Sequence, residues 1–542
     1  MRQLLLVTAL GACALTSVAL DYDVLVYGAT PGGVLAAIAA AGEGARVALL
    51  DPRGWVGGAM TGGLAVTDIG TTTTVIGGRT RGFFDAVTRH YSSPVPLYNF
   101  EPHVAERIFW WMLNDTTVSV SLNTRIKGLT LGAGARIASA QLDGGGSLSA
   151  RVWVDASYEG FLLPLANVSF TYGREPVSQY AESIAGVTPV PHPNWTADHP
   201  FVSQPQIYAG VNGRAPNGSL LPGVTAAPGP VGSGDTAIQA YSFRTTMTNN
   251  ASNMVRPWPR PPVYDPSLYA LILNGILYAN KTTFDSIIGF GGQLPCVPTS
   301  NATCTPTKGD CNNHKYAQFY LSSAYPPAVA ANDWAAQQAV WTAHRNAYLG
   351  LYYFLANDPA VPQSIRDSAY AFGLPLDEHV ACGNFPCQLY VREALRMVSD
   401  FVLTQHDVFD DVAQPDSVGR GAYSVDIMHA STYFAKDASG NEVLTNEAGM
   451  QAPSFLNKSI APFQIPYRSL LPRAAEATNL LVPIALSSSH IGFNAVRLEP
   501  TWMTIGESAG VAAAMAVREN VDVQSVSISE LQARLWQLGQ VL

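Results

Sequence analysis

The stretch DVLVYGATPGGVLAAIAAAGEGARVALLD, from Asp23 to Asp51, constrains this chain more than any other. Asp23 to Tyr27 is a short apolar run suited to a buried parallel strand, and the alanine-rich segment from Val34 to Ala41 is a strong helix former. A glycine-rich turn joins them, so the unit reads as the strand, turn and helix of a dinucleotide-binding fold. In that reading Gly28 makes the tight turn and Gly33 lets the helix pack closely on the strand. The helix start offers free N–H groups and a positive dipole end to a pyrophosphate. After the second apolar run, RVALL, Asp51 stands about 20 residues downstream, where a carboxylate accepts hydrogen bonds from a ribose. Thr30 takes the place of the usual second glycine and brings a small side chain with a hydroxyl to donate.

The next segment, DPRGWVGGAMTGGLAVTD, holds the backbone open with Gly54, Gly57, Gly58, Gly62 and Gly63, as a segment wrapping an extended ligand requires. Its apolar Trp55, Met60 and Leu64 argue that it is packed. From Val118 to Ser157 a strand-rich stretch reads as a meander that returns the chain to the sheet at Asp155. Near the C-terminus EPTWMTIGESAGVAAAMAVRE reads as a Pro-initiated helix. Gly506, Ala509, Gly510 and Ala513 give it a small-residue face, which implies a close neighbour. DWAAQQAVWTAHRNAYLGLYYFLAND and CQLYVREALRMVSDFVLTQHD read as two further helices, with Trp334 and Trp341 as core.

A chain of 542 residues with 47% hydrophobic content buries substantial cores, here expected as two intertwined domains. A charged fraction of 13% and a net charge of -9 leave no basic stripe for nucleic acid, so the expected partner is a small-molecule substrate. MRQLLLVTALGACALTSVAL has the layout of a secretory signal peptide cut after Ala19, too short for a membrane span. Eight Asn-x-Ser/Thr sequons, beginning at Asn114, Asn167, Asn194, Asn217, Asn250, Asn280, Asn301 and Asn457, fit a secreted glycoprotein. Removal of the signal leaves Cys296, Cys304, Cys311, Cys382 and Cys387. Their spacing suggests two short-loop disulfides, Cys382 with Cys387 and one pair among the other three, without fixing the connectivity. Neither Cys-x-x-Cys nor paired-histidine spacing accompanies them, so no metal is expected.

The pieces YGATPGG, GGAMTGGL, YNFEPHVAE, VDASYEG, GREPVSQYAESIAGV, YVREALRMVSDFVLTQHDV, DSVGRGAYSVDIMHA, IPYRSLLP and SSSHIGFNAVRLEPTWMTIGESAG run in order from about Asp21 to about Glu519. Together they resemble the FAD-dependent oxidoreductases of the glutathione-reductase structural class, in the xanthan-lyase-like branch. The resemblance implies an α/β fold, with a Rossmann-like FAD-binding domain over 20–173 and 462–542 and a discontinuous α+β substrate domain over 174–461. It places Gly28, Thr30, Pro31, Gly32 and Gly33 around the FAD pyrophosphate, and Asp51 with Arg53 at the adenosine ribose. Gly57, Gly58, Met60, Thr61, Gly62 and Gly63 would line the flavin and ribityl region, and the backbone at Arg125 and Ile126 the adenine. Asp155 would stand on the flavin side of the sheet, and the helix start near Gly506 would point N–H groups at the flavin pyrimidine edge. Threonine at position 30 is usual in this branch. Asp51 stands where relatives more often have Glu, and Phe161 follows YEG where they often have an acid.

Oxidation of a substrate by a flavin removes a proton while a hydride leaves, which makes His490 in SSSHIGF the expected base. Arg497 is placed to fix a carboxylate or stabilise an oxyanion, although with Glu499 it reads equally as an internal ion pair. His429 in DIMHA is expected to face the same cavity. The resulting expectation is a secreted FAD-dependent oxidase or dehydrogenase acting on a small organic substrate, in a secondary-metabolite or carbohydrate pathway. Oxygen or a quinone would be its electron acceptor. The alternatives are a flavin-dependent isomerase or desaturase, and a redox-inactive glycoprotein binding module.

Overall fold

The apolar run at the start forms strand β1 (Tyr22–Tyr27), buried from Val24 onward, and the alanine-rich segment forms helix α1 (Pro31–Gly42). These belong to a computed structural model that describes residues 20–70, 72–188, 210–297, 305–311, 319–410, 412–436, 439–451 and 461–542. The expected signal peptide, Cys304, and the sequons at Asn194, Asn301 and Asn457 lie outside these residues.

After α1 comes β2 (Val47–Leu50), parallel to β1 in the register Val24 with Val47 to Tyr27 with Leu50. The strands β3 (Ser119–Ser121), β4 (Ala150–Asp155) and β5 (Leu480–Leu481) complete a five-stranded sheet in the order β5-β4-β1-β2-β3. All four pairings are parallel. Burial on both faces explains why β1, β2 and β4 read as apolar runs rather than alternating ones, whereas the edge strand β3 exposes both its serines. Between β3 and β4 the expected meander forms a small antiparallel sheet from Ile126–Gly132, Arg136–Leu142 and Ser147–Leu148. The sheet has the Rossmann-like form, and a strand from the C-terminal part of the chain closes one of its edges.

The insertion contributes α3 (Trp334–Asn357), which Asp333 caps by accepting from the Ala336 N–H. It also contributes a long hairpin, Asp426–Lys436 with Glu442–Gln451. The second expected helix there does not form. Residues 389–397 run extended, with Arg396 and Met397 paired to Thr171 and Phe170. Leu389, Val391, Ala394 and Leu395 are buried together with the polar Arg392, Glu393 and Arg396. Burial on every side removes the polar face that a surface helix needs, so tertiary contacts override local propensity. Cys382 and Cys387 form the expected disulfide, Cys296 is also disulfide-bonded, and Cys311 is a buried free thiol. Among the described residues no helix is long and apolar enough to cross a membrane.

Two helices close the chain's course through the sheet, α4 (His490–Val496) and α5 (Glu499–Glu519). The close neighbour implied by the small-residue face of α5 is α1. A Cβ on Gly506 would stand 2.2 Å from the Gly32 carbonyl oxygen, and one on Gly510 2.1 Å from that of Ala36. Gly506 is therefore not at a helix start. It lies about two turns inside α5, and backbone-to-backbone packing is what it serves.

Gly506→Val forces these backbones apart, and the expected outcome is loss of soluble folded protein or destabilisation by more than about 3 kcal/mol. Gly82→Ala is the control, because Gly82 lies in the Gly78–His90 helix with nothing within 4 Å of its missing Cβ. It should gain about 0.5–1 kcal/mol in a denaturant titration.

Candidate functional site

At the C-terminal end of β1 the chain turns through Gly28, whose φ of +112° and clash with the Ala156 carbonyl exclude a side chain. A Cβ on Gly33 would fall 1.9 Å from the Gly28 carbonyl oxygen. The question raised by Thr30 has a local answer: it is the N-cap of α1. Its Oγ1 accepts from the Gly33 N–H at 3.1 Å and donates to the Ala156 carbonyl at 2.8 Å. Pro31 opens the helix, where a missing N–H costs nothing. The Thr30 and Gly32 amides make no hydrogen bond among the described residues, so the helix start keeps unpaired donors beside a backbone without side chains. That cradle fits the pyrophosphate of the FAD implied by the sequence.

Asp51 is buried and binds backbone on both sides, accepting at 2.7 Å from Ala29 N–H and at 2.7 Å from Arg53 N–H. The shorter acid thus straps the pyrophosphate turn to the next segment. Burial raises its carboxyl to about 6, although Arg53 opposes the rise. The Arg53 guanidinium pairs with Glu159 at 2.5 Å and lies 4.4 Å over the ring of Trp341 in α3. Trp341 also packs against Trp55, and Arg125 lies over Trp334. Both tryptophans expected as core therefore sit where the insertion meets Arg53, Trp55 and Arg125. The Ile126 N–H donates to the Tyr27 hydroxyl at 3.1 Å.

The glycine-rich run forms the short helix α2 (Gly58–Gly62). Its glycines are required by protein neighbours. A Cβ on Gly58 would meet the Tyr158 hydroxyl, on Gly62 the backbone and Cβ of Gln388, and on Gly63 the Arg244 carbonyl. Met60 and Thr61 are buried, with Thr61 Oγ1 donating to the Val56 carbonyl. Asp155 is fully buried and holds the turn after β4, taking hydrogen bonds from Ser157 and from the Leu162 N–H. Burial raises its carboxyl to about 6.

His490 opens α4. Glu175 accepts from both its backbone N–H at 2.8 Å and its Nδ1 at 2.9 Å, and pairs with Arg396 at 2.6 Å. Burial works against ionisation of Glu175, but Arg396 and the His490 ring override it and hold its carboxyl well below the usual range. Arg497, just past the other end of α4, faces a different group. It binds Asn494 Oδ1 at 3.0 Å, the Tyr390 hydroxyl at 3.2 Å, and Asp426 through its carbonyl at 2.8 Å and carboxylate at 3.2 Å. Among the described residues Asn494 links His490 and Arg497, accepting from Arg497 and donating to the His490 carbonyl. His429 is buried on the hairpin, its carbonyl accepting from Ala240 N–H.

Sequence reading missed the residues around Arg497. Asp68, Arg244, Tyr390, Arg392, Tyr423 and Asp426 come from four stretches of chain and interact electrostatically with one another or with Arg497. No spacing links them; only the fold does. A second cluster, Glu101, His103, Asp377 and Glu378, has metal-ligand geometry. There Lys308 Nζ already contacts the three carboxylates at 2.6, 2.8 and 2.9 Å.

Glu499, the first residue of α5, does not pair with Arg497. It accepts from the Tyr158 hydroxyl at 2.6 Å, and that hydroxyl accepts from the Ala59 N–H at 2.9 Å. Burial raises its carboxyl to about 8, above the unfolded value of about 4.3. Between those values the folded protein holds the extra proton, so this group makes stability fall as pH rises. Glu499→Gln should match the wild type at pH 5 and be more stable at pH 8, by on the order of 2 kcal/mol in thermal or denaturant unfolding. Equal stabilities at both pH values would contradict a neutral Glu499.

Partial likenesses to solved structures cover less than a third of this chain. They include THI4 of Thermovibrio ammonificans, at 19% identity over 28% of this chain and 66% of that one, with a TM-score of 0.23. OxyS anhydrotetracycline hydroxylase from Streptomyces rimosus matches at 17% over 29% and 35%, also at 0.23. L-amino acid deaminase from Proteus vulgaris matches at 14% over 29% and 52%, at 0.22. The matched part thus spans from about a third to about two thirds of those chains, and such scores carry no argument about function. Among curated proteins no match is found. The family model described as FAD dependent oxidoreductase, in contrast, matches residues 23–535. With that span and the cradle at α1, the chain belongs to the FAD dependent oxidoreductase family and is a flavoenzyme that uses FAD.

Proposed function

We propose that this enzyme is a secreted oxidase or dehydrogenase that oxidises a small organic substrate by hydride transfer to FAD. In this reading residues 20–173 and 462–542 hold the cofactor, and 174–461 cover it and shape the substrate chamber. FAD, when bound, supplies the two-electron acceptor. Thr30, Gly32 and the α1 start hold its pyrophosphate, Asp51 its ribose, and the start of α5 favours negative charge near its ring.

The observation that carries the chemistry is the buried pair of His490 and Glu175. An ionised Glu175 only accepts, so His490 Nδ1 must carry the hydrogen, and Nε2 is left to take a proton. Arg396 keeps Glu175 ionised, which keeps the imidazole in that tautomer. His490 is thus the proton acceptor, with Glu175 as its positioning residue. Arg497 is the fixed cation of the chamber wall, and His429 belongs to the same wall. Outside the cell soluble NADPH is scarce, so oxygen or a quinone takes up the electrons.

The visible spectrum of the purified protein tests this reading, before and after anaerobic addition of a panel of sugars, alcohols, amines and hydroxy acids. One class should bleach the oxidised-flavin bands. His490→Ala should keep those bands and bleach at least about 100-fold more slowly. Wild-type bleaching rates in that variant would remove His490 from the chemistry.

Secretion is supported by the acceptor asparagines. Asn114, Asn167, Asn217 and Asn280 are exposed and Asn250 is half-exposed, so all five sequons among the described residues are reachable by a glycan. Expressed in a eukaryotic host, the protein should appear in the medium with its N-terminus at Leu20 and lose mass on treatment with an N-glycosidase. An intracellular product retaining residues 1–19 would overturn secretion.

A further inference from the structure

A cavity of about 510 Å³ lies at the end of the sheet opposite the pyrophosphate cradle. Leu20 and the first residues of β4, Ala150 to Val152, form one side of it, and Arg136 to Ala138 of the small antiparallel sheet form a second. The last turn of α5, with Asn520 and Val521, forms the third. Its volume falls in the range of about 300–1,000 Å³ that holds small-molecule ligands. At a rise of about 1.5 Å per residue, Val517 stands about 22 Å along α5 from Trp502, whose carbonyl touches the α1 start. The cavity is therefore separate from the cofactor cradle.

Its lining is divided by depth. Ile137, Ala150, Val152 and Ala516 are buried and give it an apolar floor, whereas Arg136 and Arg151 are half-buried and stand nearer the water. Asn479, the buried polar side chain in the lining, is spent on backbone. Its Oδ1 accepts from the Ile137 N–H, and its Nδ2 donates to the Ile137 and Arg151 carbonyls. Recognition of charge thus falls to the two arginines.

The charges around those arginines do not cancel. Arg136 pairs with Asp522 at 2.5 Å. Arg151 donates from Nη2 to Asn520 Oδ1 at 2.6 Å and makes no ion pair among the described residues. Asp23, with which it interacts electrostatically, is itself paired with Arg46 at 3.2 Å, and Arg518 with Glu519 at 3.0 Å. Two guanidiniums against the carboxylate of Asp522 leave a single positive charge at the cavity. A planar guanidinium with N–H groups to spare matches a carboxylate in two parallel bonds. A dianion would bring a second negative charge beside Asp522 with no cation to match it.

We propose that this cavity is a second ligand site that takes a monocarboxylate with an apolar body, a medium-chain fatty acid, its head on Arg151 beside Arg136 and its chain on the floor of Ile137, Ala150, Val152 and Ala516. The assignment is independent of the reaction at the flavin. Alcohols lack the charge that Arg151 matches, and amines are repelled by it.

The test is isothermal titration calorimetry of the purified FAD-loaded protein with decanoate, and with 1-decanol and decylamine as the neutral and cationic probes of equal chain length. Decanoate should bind saturably and about 10-fold more tightly than either. Arg151→Gln should weaken decanoate by about 10-fold and leave decanol unchanged. Ala138→Trp places a large ring in the cavity from an exposed lining position and should abolish decanoate binding while the flavin spectrum stays intact. The proposal is overturned if decanoate does not bind, if decylamine binds as tightly, if bound decanoate displaces FAD, or if either variant keeps wild-type affinity.

Discussion

The contact between α1 and α5 is the constraint on which the rest of the architecture depends. The two helices meet through bare backbone at Gly32, Gly506 and Gly510, with Trp502 and Ala36 contributing carbonyls to the contact. This closeness sets the C-terminal helix beside the first helix of the sheet across most of the sequence. It also brings the starts of both helices to the same end of the sheet, since Gly32 lies in the first turn of one and Trp502 in the first turn of the other. Two positive dipole ends side by side favour negative charge there. A dinucleotide offers that charge twice, at its diphosphate and at the reduced flavin ring.

A second set of contacts fixes the insertion against this platform. Gly62 and Gly63 admit the backbones of Gln388 and Arg244, and Trp341 settles over Arg53, two residues past Asp51. The Lys308 ammonium draws Glu101 to Asp377 and Glu378 of the insertion. Glycine contact, cation–π packing and a buried ion cluster thus act at three separate points. Rotation of one part on the other requires breaking all three.

What was legible in the sequence follows from this. The inner strands β1 and β2 were legible because they are buried on both faces and read as unbroken apolar runs, unlike the exposed edge strand β3. The glycines were legible as sites of close approach, but not as to what approaches. At α2 the neighbours are Tyr158, Gln388 and Arg244, residues whose distance along the chain gives no local signal. Gly506 was misplaced because a small residue in a Pro-initiated helix looks the same whether it serves a ligand or another helix. The stretch from Leu389 to Met397 misled for a different reason: its charged residues sit where an amphipathic helix would expose them, yet Arg392, Glu393 and Arg396 are all buried and bonded. The cluster at Arg497 was illegible because stretches far apart along the chain build it and no spacing between them points to it.

The distribution of ionisable groups separates the two working regions. Beside the pyrophosphate cradle, burial raises the carboxyls of Asp51 and Asp155 to about 6 and that of Glu499 to about 8. Further along α4, Arg396 and His490 keep Glu175 ionised against the same burial. Asp51, Asp155 and Glu499 therefore take up a proton more readily than an exposed acid does, whereas Glu175 stays charged beside His490. Burial is common to all four residues. A directly hydrogen-bonded guanidinium and imidazole distinguish Glu175, whereas among the described residues Glu499 accepts from a phenol, Asp155 from hydroxyl and amide donors, and Asp51 from backbone N–H groups. Partner chemistry, rather than depth, decides which acids remain anions in this fold.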